Sequence, residues 1–266
     1  MLTSLGHDDL VPTGANRQDG AVTGAPDQPE PTSGDDWRPQ VGDGPVPAPA
    51  GGGRQGERRW PMAAAVISVG VLQELVPADF RVLPRFVYPV FLLCFLGVLI
   101  IGDPGRIDRQ RRWLRVTTLL MTGLITVVTA VSAVRLVVGI LTNATFSTAS
   151  QLLIIGGCIS LTNVIAFALW FWDLDGGGAA ARAAGSTRIG SAFIFPEMRL
   201  PEYVGPSWYP QFADYLVLSF NTALAFSPTD VSAIRVWAKL MMIFESLVSL
   251  ALAALVIARA INILGT

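Results

Sequence analysis

Histidine is almost absent: the only one is His7, near the N-terminus. That excludes Ser-His-Asp catalysis and histidine-rich metal sites, because both need an imidazole at the reacting centre. Cysteine is also scarce. Cys94 and Cys158 lack CxxC spacing and a histidine partner, so neither a disulfide nor a metal site is predicted. Glycine runs occur at Gly51-Gly52-Gly53, Gly156-Gly157 and Gly176-Gly177-Gly178, but no P-loop lysine follows any of them. Charge is thin, at 15% of residues, against 52% hydrophobic residues and a mean hydropathy of +0.50. This composition lies far from a soluble average. Positive and negative charges nearly cancel, at 19 and 20, and most arginines are scattered, so nucleic-acid binding is not expected. Neither an enzyme nor a cofactor or metal site is expected.

What remains is a polar start followed by apolar runs. Residues 1–59 are dense in Gly and Pro and have Trp37 as their only bulky aromatic. Such a segment cannot bury enough apolar surface to offset the entropy of ordering, so a disordered tail is predicted. No basic patch followed by an apolar run opens it, so no secretory signal is expected. Residues 60–172 form a membrane region with segments at 62–76, 86–101, 116–141 and 151–172. The first two are short for a crossing; the other two are ample. Trp170-Phe171-Trp172 reads as an aromatic belt at the headgroups. Between the second and third segments lie Arg106, Arg109, Arg111, Arg112 and Arg115. By the positive-inside rule this loop, and with it the N-terminus, is cytoplasmic.

Residues 173–211 are a connector or cap, opening on Asp175 and three glycines and ending in Trp208-Tyr209 between prolines. Residues 212–226 are apolar but too few to span, whereas 236–264 are ample. A short helix, a polar turn and a long helix read as a re-entrant loop before an inner helix. The fold class expected is therefore all-α integral membrane, with about five transmembrane helices and one re-entrant half-helix before the last.

The order Ser219-Phe220-x-Thr222, Asp230, Lys239-Leu240, Glu245-x-x-x-Ser249, Ala258-Arg259 resembles the pore module of two-helix potassium channels. The likeness covers 212–266, and it fails in the filter. Ala225, Phe226, Ser227, Pro228 and Thr229 stand where that family has T-V-G-Y-G. Those glycines permit backbone angles that residues with a Cβ avoid, and Pro228 fixes its own φ and restricts Ser227. A potassium-selective filter is not expected. The resemblance implies a homotetramer in the bilayer, with weakly selective passage of a monovalent ion or small solute. The alternative is a non-conducting scaffold, or an anchor for a partner, that keeps the channel-like fold. Residues 161–185, with the half that follows, also resemble an uncharacterised family of bacterial multi-pass membrane proteins, which implies a topology class and no mechanism.

Polar groups inside spans are the functional candidates. Glu245 reads either as a pore-facing acid or as a carboxyl hydrogen-bonded to the half-helix, the role that the resemblance implies. Ser249, one turn on, is a hinge or part of a small-residue packing surface. Asp230 draws cations to the loop mouth or caps a local turn. Thr222 and Asn221 line a cavity or link helices. Thr118, Thr122, Thr126 and Thr129 form a hydroxyl stripe whose simpler reading is close packing. Arg135 and Glu74 are expected to reach toward the interface. Asn163 faces the same choice as Asn221.

Overall fold

The computed structural model describes residues 56–107, 111–142, 148–185, 190–205, 207–224 and 230–264. Its helices are α1 (Trp60–Leu75), α2 (Val87–Gly102), α3 (Arg112–Leu141), α4 (Ala149–Leu174), α5 (Ala179–Ala183), α6 (Pro201–Val204), α7 (Phe212–Leu224) and α8 (Val236–Leu264). Two antiparallel strand pairs are added: β1 (Glu57–Arg58) with β2 (Arg106–Ile107), and β3 (Phe193–Ile194) with β4 (Ser232–Ala233). The fold is thus mostly helical. α3, α4 and α8 are each long and apolar enough to cross a membrane. α1 and α2 are apolar but have 16 residues each, about 24 Å of helix.

Helix starts follow local chemistry. Pro61 occupies the first turn of α1, where its missing N–H costs nothing. Thr148 caps α4 by accepting from the Gln151 N–H at 3.2 Å. α3 begins at Arg112, four residues before the sequence-predicted start at Val116, so Arg112 and Arg115 stand on the helix. α8 runs over the predicted range.

Contacts fix which helix ends meet. At one end the start of α1, the end of α2, the start of α3, the end of α4 and the starts of α7 and α8 come together. Glu57 touches both Trp172 and Phe212, Arg59 meets Asp103, and Phe193 packs on Phe171, Tyr215 and Trp237. This is the arginine-rich end. At the far end Leu136 and Ile140 of α3, Ala149 and Leu152 of α4 and Val256 and Ala260 of α8 form a separate apolar cluster. α4 is the central helix, packed on α1, α3, α7 and α8. Gly156 lets α8 approach it: a Cβ there would lie 2.8 Å from Val256.

α7 and α8 both start at the arginine-rich end and run inward together. Ser219 meets Glu245, and the Ser246 hydroxyl donates to the Thr222 carbonyl at 2.9 Å. The chain after α7 therefore turns back to its starting end, where β4 pairs with β3. α7 is about 20 Å long, and the eight steps from Leu224 to Ser232 reach about 27 Å when extended, enough for that return.

Several expectations need correction. Trp170-Phe171-Trp172 is no belt at the headgroups: Phe171 and Trp172 are buried, because the connector folds over the end of α4. Trp170 turns to α3, donating to the Thr126 hydroxyl at 2.8 Å. Glu74 pairs with Arg81 and Arg85 and accepts from the Phe86 N–H, so it holds the α1–α2 turn. Residues 56–59, read as the end of the tail, belong to the folded body, with Glu57 and Arg59 buried. The rest of the predicted tail lies outside the described residues.

Candidate functional site

Two polar clusters stand out among the described residues. The first lies among α4, α7 and α8. α7 buries Phe212, Tyr215, Leu218, Ser219 and Thr222, one helical face, and so aims Ser219 at the junction. The Ser219 hydroxyl lies 2.7 Å from the Val164 carbonyl and also donates to the Glu245 carboxyl. Glu245 is 0% exposed, and its second oxygen has no hydrogen-bond partner among the described residues. One turn along, the Asn163 amide donates to the Ser249 hydroxyl at 3.2 Å. Thr222 donates to the Leu218 carbonyl of its own helix. Every member ties one helix of this chain to another or to itself.

Of the residues singled out in the sequence, the structure brings Thr222, Glu245 and Ser249 to this cluster. Asn163 joins them, and Asn221 is half-buried nearby on α7. Asp230 is exposed, away from the cluster. Ala225, Phe226, Ser227, Pro228 and Thr229 lie outside the described residues. The threonine stripe of α3 bonds back to its own helix, with Thr118, Thr126 and Thr129 each donating to the carbonyl four residues before. Arg135 donates to the Arg81 carbonyl at 2.6 Å.

The second cluster was missed. Beyond α4 the chain makes a tight turn in which Gly176, Gly177 and Gly178 all have positive φ, the left-handed region that a Cβ disfavours. That turn buries Asp175 completely. Its carboxylate accepts from the Ala192 N–H and the Tyr215 hydroxyl, each at 2.5 Å. Arg182, on α5, donates to the Trp172 and Asp175 carbonyls at 2.7 and 2.6 Å and stacks 4.9 Å over the Tyr215 ring. From the other side Glu57 accepts from the Trp172 indole at 2.8 Å and from the Phe212 N–H at 2.5 Å. That second bond satisfies the first amide of α7, which the helix leaves without a partner. Burial pushes the Glu57 carboxyl above its ordinary value, against the two N–H donors and Arg182, which favour the charged form. Burial likewise lowers Arg59, with the Asp103 carboxylate opposing. The cluster fixes where α7 enters the bundle. Three glycines after Asp175 were its only trace in the sequence; an acid inside a Gly/Pro-rich segment left none.

No protein family, curated protein or solved structure matches the chain.

Proposed function

We propose that this chain is a multi-pass integral membrane protein, crossing the bilayer with α1, α2, α3, α4 and α8, and acting as a non-conducting scaffold. In this reading α7 is a re-entrant half-helix kept for packing. The positive-inside rule puts the arginine-rich end in the cytoplasm. The N-terminal segment, the connector and the mouth of the re-entrant loop then share that side, and α8 ends outside. α1 and α2, shorter than a bilayer core of about 30 Å, are matched by local thinning. The role is to hold the N-terminal segment and the connector platform, or a partner bound to them, at the inner surface.

The burial of Glu245 carries the packing part of this reading: it is fully buried and engaged by Ser219 of its own chain, so it ties α8 to α7 and is no pore-facing acid. The outer faces agree. The exposed residues of α7 are Ala213, Val217, Phe220 and Leu224, a helical stripe of apolar side chains. On α8 every exposed residue from 240 to 261 is apolar. Such faces suit lipid or a neighbouring copy.

One observation favours the runner-up, a homotetramer passing a monovalent ion or small solute with weak selectivity. α7 enters and its chain returns at the same end, as a pore loop does, with Asp230 exposed after the turn. Reconstitution into liposomes separates the two. The scaffold reading expects ion flux no higher than in protein-free vesicles, and a nanodisc mass of any stoichiometry. Flux that is lost in Asp230→Ala, from a particle with the mass of a tetramer, would sink it.

A further inference from the structure

At the arginine-rich end a cavity of about 290 Å³ opens between the end of α2, the start of α3, the end of α4 and the glycine turn. Its volume is near the lower end for small-molecule sites, enough for a headgroup-sized ligand. Among the described residues that line it are four arginines, Arg59, Arg111, Arg112 and Arg115, and two acids, Asp103 and Asp173, so that positive charge is in excess among them. The position makes that excess costly. Arg111 is the N-cap residue of α3, has no side-chain cap bond, and no acid follows in the first turn. The N-terminus of a long helix is already a positive pole, so three arginines in and before its first turn repel both it and one another. Among the described residues no side-chain hydrogen bond or ion pair holds Arg111 or Arg112.

Two buried side chains that border the cavity have unmet valences, one a donor and one an acceptor. Arg59 is 5% exposed, pairs with Asp103 at 3.4 Å, and has a buried Nε with no hydrogen-bond partner among the described residues. Asp173, equally buried, has an Oδ2 that accepts no hydrogen bond there; its nearest cation is Arg115 at 3.9 Å. Leu99, Leu114 and Trp172 supply an apolar wall continuous with the spans.

We propose that this cavity binds a phosphate ester that also carries a hydroxyl group, the chemistry of a phosphoglycerol headgroup. The arginines and the amide end of α3 take the phosphate, and Asp173 accepts from the hydroxyl. The apolar wall leads toward the acyl region, which favours a lipid over a free ester. The proposal rests on this end lying at headgroup level and is independent of whether the protein conducts.

Native mass spectrometry of the full chain in detergent, titrated with phosphatidylglycerol or phosphatidylcholine, tests it. Phosphatidylglycerol should bind more tightly, since the choline ammonium has no hydrogen for Asp173. Arg111→Gln with Arg112→Gln changes only exposed side chains and should weaken phosphatidylglycerol binding roughly 30-fold, about fivefold per arginine. Arg235→Gln with Lys239→Gln removes the same charge at the same end but outside the cavity, and should change binding less than about twofold. Ala180→Leu fills the cavity at constant charge and should weaken binding as well. Glycerol 1-phosphate that displaces the lipid with the same arginine dependence keeps the site and assigns it to a soluble ester. Equal losses in both double variants, or none in the cavity variants, overturns the proposal. A flux result of either sign leaves this readout unaffected, so the two failures are distinguishable.

Discussion

The two polar clusters differ in how they are held, and the proposed membrane setting gives a physical reason. Among α4, α7 and α8 there is one carboxyl, and its neighbours are hydroxyls, an amide and a carbonyl. At the arginine-rich end Glu57, Asp175 and Arg182 are buried together, each with two or more hydrogen bonds. In the proposed membrane setting a charge deep in hydrocarbon is costly, which fits a cluster of neutral groups around a single ionisable one. Near the surface the cost falls, and charge-assisted bonds become usable for fixing loops. The outer cluster therefore carries more of the stability, and the inner one sets the register of α7 on α8.

That division can be broken in order of expected size. Asp175→Ala strands the Tyr215 hydroxyl and the Ala192 N–H together; it should cost about 2–6 kcal/mol and abolish a cooperative thermal transition in detergent. Survival of that variant with an unchanged melting temperature would mean the platform is dispensable. Gly156→Val puts side-chain atoms into Val256 at the α4–α8 crossing and should cost about 1–3 kcal/mol, with Val256→Ala in the same chain recovering part of it.

Glu57 gives a pH test. Its folded value is raised above the ordinary 4.5, so its contribution is full below that value and is lost as pH rises through the folded value. Melting temperatures of wild type and Glu57→Gln, measured across this range, should converge or cross as pH rises. A difference that stays constant would remove Glu57 from the linkage. The inner cluster should give the smallest effects. Ser219→Ala and Asn163→Leu should each cost about 0.6 kcal/mol, the average for hydrogen bonds between membrane helices. Glu245→Gln should lie close to wild type, because the amide still offers Ser219 an acceptor. A loss of several kcal/mol in Glu245→Gln would show that the inner cluster depends on charge after all.

Legibility followed the same depth gradient. Inside the spans a polar residue is conspicuous against its background, so Glu245, Ser249, Thr222 and Asn163 were all visible in the sequence, and the structure brings them together. Their partners were harder: nothing in the sequence says that Ser219 reaches the Val164 carbonyl, a contact across 55 positions. At the arginine-rich end polar residues are ordinary, so Asp175, Arg182 and Glu57 had no contrast to mark them. Trp172 was misplaced for the same reason. An aromatic at the end of an apolar run suggests a lipid interface, unless something folds over it.

The sequence by itself determined the apolar helices and the concentration of arginine at one end. Period and composition carry that information locally, and 236–264 was read to the residue. It also marked a short helix before the last long one, because 212–226 is apolar and too brief to span. Only the tertiary structure decided that Glu57 closes on the start of α7, that Glu245 points inward, and that the connector buries the end of α4. Each of these depends on pairs far apart in the chain, such as Glu57 with Phe212 across 155 positions. Such pairings are set by how the helices pack together, which no local window of sequence contains.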